Sequence, residues 1–245
     1  MITGHEHDDK APDGWALDEL SKFLDLTRAH QFQSFEHLSG SYRRIRDIDA
    51  VFLKLGEHLD NPPNLISPLF VYRSHSAFRA AAGLILAGQV PETYMVARGC
   101  LEFALYGLYF AKKPQAFDTW LRRDEGPSEK KEVRKEFPVG NLLDVLRSAD
   151  GRCAEVASAL YERTIDLGAH PNQLSVFSSM SQTEDEEQFA FDTNYIMADS
   201  PPLRLALRSV SQVGVCALDV LRCVFRERFD LIGLTGALRP IRKGL

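Results

Sequence analysis

Between Thr93 and Ala111 the chain carries only two charges, Arg98 and Glu102, and the rest is apolar or aromatic nearly all the way round a helix. A segment like this must lie at the centre of something, because no solvated face is left on it. Two environments could take it, a membrane or a helical core. The apolar region as a whole runs from Ala77 to Ala111, but Gln89-Val90-Pro91-Glu92 divides it into pieces that fall short of, or barely reach, the roughly 20 residues of a bilayer span. Arg98 and Glu102 near the middle of the second piece would each be costly in lipid. The sequence therefore predicts two buried helices of a soluble protein and no membrane partner.

The rest of the chain follows the same period. Apolar residues recur at spacings of three and four from Trp15 to Leu38 and again from Ile45 to Leu55, which predicts one or two helices over 13–59 with a break at Gly40. Asn61-Pro62-Pro63-Asn64 is a stop, and Ser67-Pro68 opens a helix to about Gly88. Pro91 opens the next, to about Lys113, and Pro114 a short one through Trp120. Charge dominates 122–137, a solvated helix or loop. Helices follow over 141–149 and 153–169, the latter ended by Pro171. The pattern then changes. Segments 174–182 and 188–195 are rich in Val, Phe, Ser and Thr around an acidic Glu184–Glu187 run, which suits a β-hairpin, with a disordered insertion as the competing reading. Pro201-Pro202 opens a last long helix through about Phe229.

The expected fold is all-α, a helical bundle with a small β-hairpin inserted before its last long helix. The expected organisation is a flexible terminus over 1–12, one helical domain over 13–230, and a basic tail over 231–245. The absence of alternating strands and helices argues against a Rossmann-type sheet. Acidic residues 1–10 do not read as a signal peptide, and His5, Glu6, His7, Asp8 and Asp9 read as a solvated terminus rather than a metal site. Four unclustered cysteines suggest neither a disulfide scaffold nor zinc, so a cytoplasmic protein is expected.

The net charge is −5 and unevenly spread. From Pro201 onward eight Lys and Arg face three acids, making that segment +5 and the remainder −10 (21 basic, 31 acidic). The acidic total argues against a broad nucleic-acid footprint, while the C-terminal helix offers either a solvated face or a strip for a phosphate or a protein partner.

Motifs that specify chemistry strongly are missing: no P-loop, nucleophile elbow, dinucleotide fingerprint or metal-binding helix pair. No cofactor and no metal is implied. Three places carry candidate chemistry. On the apolar helix, Arg98 and Glu102 lie four apart on one face. They either pair with each other or leave Glu102 to orient another basic residue. The second place is the segment from Tyr161 to Asn172. Here Arg163 and His170 stand seven apart and nearly share a helix face. An Arg fork can hold a phosphate and a His can move a proton near neutral pH; Tyr161 and Asn172 are candidate binding residues at the segment's ends. The third is Arg73-Ser74-His75-Ser76 with Arg79. His75 there reads as a core histidine with its hydrogen bonds satisfied, or Arg73 and His75 line a ligand pocket with Arg98 and Tyr106.

An Arg followed by a His after six intervening residues, near the end of a helix in an α-bundle, resembles the motif of the HEPN superfamily. The likeness spans about residues 67–229 and includes Arg98-x-x-x-Glu102 on the preceding helix. The resemblance implies a homodimer that cleaves RNA without metal, plausible for a defence or toxin system. Arg163 would hold the scissile phosphate, His170 would transfer the proton, and Glu102 would steady the Arg. Thr164 departs from the Asn, Asp or His often found after the Arg. Many HEPN-like proteins are non-catalytic bundles that bind nucleotides or partners, and that reading stands beside the first.

Overall fold

In the computed structural model the protein is an all-α helical bundle, described here over residues 11–59, 66–173, 176, 180–185 and 188–245. Its centre is the helix that the apolar run predicts. We label the helices α1 (Glu19–His37), α2 (Ser39–Glu57), α3 (Ile66–Leu86), α4 (Val90–Lys112), α5 (Ala116–Leu121), α6 (Pro127–Glu136), α7 (Val139–Ala149), α8 (Gly151–Thr164), α9 (Pro201–Arg222), α10 (Arg226–Leu231) and α11 (Leu234–Ile241). α4 runs along α3 and α9 and also meets α7 and α8. Cys100, Leu101, Ala104, Leu105 and Leu108 on it are essentially inaccessible to solvent. Among the described residues no helix is long and apolar enough to cross a membrane.

α2 presents Ile45, Ile48, Val51, Phe52 and Leu55 to the core, the stripe its sequence spacing requires. α3 starts at Ile66 and ends in a turn at Gly88, whose φ of +81° favours glycine. There a Cβ would meet the Met197 carbonyl oxygen at 2.7 Å, and the Met197 amide donates to the Gly88 carbonyl at 2.9 Å. This contact fastens the segment entering α9 to the α3–α4 turn.

Several expectations need correction. The helix expected from Asp13 begins at Glu19, where Asp18 caps it by accepting the Ser21 amide at 2.9 Å. Its break falls at Leu38, and Gly40 lies inside α2. The apolar stripe of α1 does not enter the core: Leu20, Phe32 and Phe35 are exposed, and the buried residues are Ser21 and Ser34. α1 is instead pinned to the end of α3, where Ser34 donates to the Leu86 carbonyl (2.8 Å) and Gln31 to that of Gly83 (3.1 Å). The Leu86 carbonyl ends the helix and accepts such a donor readily, while the Gly83 carbonyl takes Gln31 beside the Ala87 amide.

The last long helix stops at Arg222 rather than near Phe229, because the 223–225 amides close tight bonds back to Val220 and Leu221. Segment 231–245, expected as a basic tail, carries α11, which buries Leu234, Leu238 and Ile241 against the core beside α2. The helical domain therefore includes it. Residues 122–137 hold a short 3₁₀ turn and α6, of which only Val133 is buried. Met180–Asp185 and Gln188–Thr193 pair antiparallel, Met180 opposite Thr193 and Asp185 opposite Gln188. Of the hairpin expected over 174–182 and 188–195, this pairing is the part within the described residues. Residues 174–175, 177–179 and 186–187 lie outside them, as do residues 1–10 with the acidic and histidine run.

Candidate functional site

α8 does not continue as α-helix to Ala169. At Thr164 it widens into a π turn over Ile165–Ala169, after which His170 is extended, with φ −139° and ψ 141°. Single π turns inside or at the end of α-helices recur at functional positions because they re-aim the side chains that follow. Polar bonds hold this one at both ends: Asn172 donates to the Ile165 carbonyl at 3.0 Å, and the Thr164 hydroxyl to that of Tyr161 at 2.6 Å. Its middle lies so close to α4 that a Cβ on Gly168 would stand 2.3 Å from the Pro91 carbonyl oxygen.

The charges of α4 meet this turn. Arg98 Nη1 donates to the Ala169 carbonyl at 3.4 Å, next to His170. Arg98 Nε lies 3.4 Å from Glu102 Oε1, an ion pair without hydrogen-bond geometry, and that buried Nε has no hydrogen-bond partner among the described residues. Glu102 Oε1 also accepts the Tyr161 hydroxyl at 3.0 Å. Burial, and then the Glu102 charge, push the Tyr161 hydroxyl up to about 12. Arg98 and Glu102 therefore pair with each other, as one of the two sequence readings held, yet both side chains keep about a third of their surface exposed (32% and 35%). The pair sits at the rim of the core rather than inside it.

The sequence-predicted residues thus fall into separate places. Arg98, Glu102, Tyr161 and Asn172 converge around the π turn, with exposed His170 at its end. Arg163 turns the other way, and its Nη1 donates to Gln212 Oε1 of α9 at 2.6 Å. No hydrogen bond or ion pair joins it to Glu102, which is occupied by Tyr161 and Arg98.

Arg73, His75 and Tyr106 are elsewhere and do not meet in one pocket. Arg73 lies over the Phe103 ring at 4.9 Å, and Tyr106 stacks with Phe137 at 5.5 Å in an aromatic cluster. His75 is buried, stacked on Phe52, with Nε2 2.6 Å from Asp49 Oδ1. Arg79 makes a two-pronged pair with the same carboxylate, at 2.6 and 2.9 Å. Partial burial alone would raise the Asp49 carboxyl, but the Arg79 and His75 hydrogen bonds outweigh it and hold it well below the usual carboxylate range. His75 is a satisfied core histidine.

Sequence reasoning missed three features. Asp49 stands on the apolar face of α2, four residues after Ile45 and three before Phe52, and an acid there signals a buried partner. Gln212 is a polar residue between Val210 and Val213 on the apolar stripe of α9. The third is a groove of about 660 Å³ between α8, α9 and the end of α11, lined by Arg152, Arg163, Arg222 and Arg242. The basic C-terminal segment signals Arg222 and Arg242, but nothing local joins them to Arg152 and Arg163 of α8. Asp219 within it ion-pairs Arg242 and lies 3.8 Å from Arg222, while burial pushes its carboxyl up in opposition to those two charges.

The chain matches no protein-family model, and neither the curated proteins nor the solved structures contain a match to it.

Proposed function

We propose that the protein is a HEPN-like, metal-independent endoribonuclease that acts as a homodimer, with Arg163 holding the scissile phosphate and His170 transferring the proton. One observation carries this reading: among the described residues the one hydrogen-bond partner of the Arg163 guanidinium is the neutral Gln212 amide and no acid pairs with it, so its charge can meet a phosphate. The exposed His170 supports it, because the π turn and the Arg98 bond to Ala169 fix the backbone beneath the imidazole. A proton-transfer group needs such fixed placement.

A second reading is favoured by the Tyr161–Glu102 and Arg98–Ala169 bonds. In it these residues form a polar network that specifies how α4 and α8 pack, in a non-catalytic interaction bundle.

RNA cleavage in EDTA by wild type, Arg163→Ala and His170→Ala, each at matched folded concentration, separates the two. Loss of cleavage in both variants with melting temperatures near wild type supports the ribonuclease. Cleavage that survives either substitution, or silence from all three with a lowered melting temperature for Tyr161→Phe, supports the interaction bundle. Light scattering of the wild type tests the dimer directly.

A further inference from the structure

The groove beside Arg163 does not end there. A second recess of about 330 Å³, lined by Lys112, Arg226 and Cys223, shares Asp150 and Arg222 with it. Together they bring Lys112, Arg152, Arg163, Arg222, Arg226 and Arg242 to one surface against two acids, Asp150 and Asp219. Both acids are already engaged. Asp150 accepts the Cys153 amide at the start of α8 and lies 3.7 Å from Arg222, while Asp219 serves Arg242 and Arg222. Among the described residues Lys112, Arg152 and Arg226 have no ion pair, and Arg163 has only Gln212. The groove is thus cationic in a chain whose net charge is −5. A concave wall of uncompensated guanidinium groups concentrates anions, and Arg forks match phosphate oxygens two at a time. Beneath the larger recess Val156, Leu160 and Val215 provide an apolar floor.

We propose that this continuous groove binds the phosphates of a nucleotide ligand, with the arginines on the phosphates and the apolar floor under the base or sugar. The phosphates can belong to a free nucleotide or to a single RNA strand, since both present the same oxygens. The site shares Arg163 with the ribonuclease reading, but it rests on the charge of the groove and requires no cleavage.

The test measures binding in EDTA at low salt, with a fluorescein-labelled oligouridylate by polarisation and with ATP by thermal shift. Wild type is compared with the double charge reversal Arg152→Glu/Arg226→Glu, whose two side chains are exposed and can change without entering the core. At least one probe binds wild type. The double reversal weakens it by at least about tenfold and, for the oligonucleotide, lowers the salt slope by about 1.4 for two lost contacts. Binding of the strand alone assigns the groove to RNA, and binding of ATP alone assigns it to a free nucleotide. No binding of either probe, or equal binding by a folded double reversal, overturns the proposal. Binding that persists without any cleavage leaves the groove standing and removes the ribonuclease reading.

Discussion

Tyr161 on α8 donates its hydroxyl to Glu102 on α4 at 3.0 Å, and this bond closes the polar cluster at the end of α8. Replacing Tyr161 with Phe removes one hydrogen bond to a charged acceptor, and unfolding in urea should show a loss of about 1–2 kcal/mol. The folded-state pKa, raised to about 12, lies above the usual value near 10. The bond therefore contributes fully below about pH 10, and its contribution is lost as pH rises from there towards 12. The gap between the urea midpoints of wild type and Tyr161→Phe should be full at pH 9 and narrower at pH 11.

Asp49 behaves in the opposite sense. Its carboxyl is held below the usual range, so the stabilisation is complete above about pH 4 and is lost as pH falls beneath that value. Asp49→Asn leaves buried His75 with a weaker partner and should cost about 1–3 kcal/mol at pH 7. The difference between variant and wild type should shrink in acid, which an acid-unfolding series reads directly.

Gly168 permits the π turn to lie against α4. In Gly168→Ala the new methyl meets the Pro91 carbonyl oxygen, and either the turn or the start of α4 must shift. A cost of about 1–3 kcal/mol is expected. Hydrogen exchange should rise at 165–170 while the amides of α9 stay protected; unchanged exchange across the turn would contradict this.

The thiols should be slow nucleophiles. Burial pushes Cys100 up to about 12 and Cys223 up to about 11, and Cys216 is raised too, chiefly by its contact with Cys153. Iodoacetamide at pH 7.5 should label Cys100 and Cys216 only after denaturation. Rapid labelling of either in the native protein, seen by mass spectrometry, would refute their burial.

The sequence by itself determined the fold class and the central helix, because apolar periodicity and proline punctuation are local and each turn of helix expresses them independently. It also placed Arg98 and Glu102 on one helix face, where four residues bring them within reach of each other, but left open whether they pair. Tertiary structure decided what each polar group faces. Leu20, Phe32 and Phe35 have core-like spacing yet remain exposed, because Ser34 and Gln31 dock α1 on α3 through hydrogen bonds. Glu102 took Tyr161 rather than Arg163, and Arg163 took Gln212, because the widened turn and the approach of α9 set those directions. The groove was legible only as the excess charge of the C-terminal segment, which supplies Arg222, Arg226 and Arg242. Lys112, Arg152, Arg222 and Arg242 are far apart along the chain, and only the docking of α8, α9 and α11 on α4 and α2 brings them to one surface.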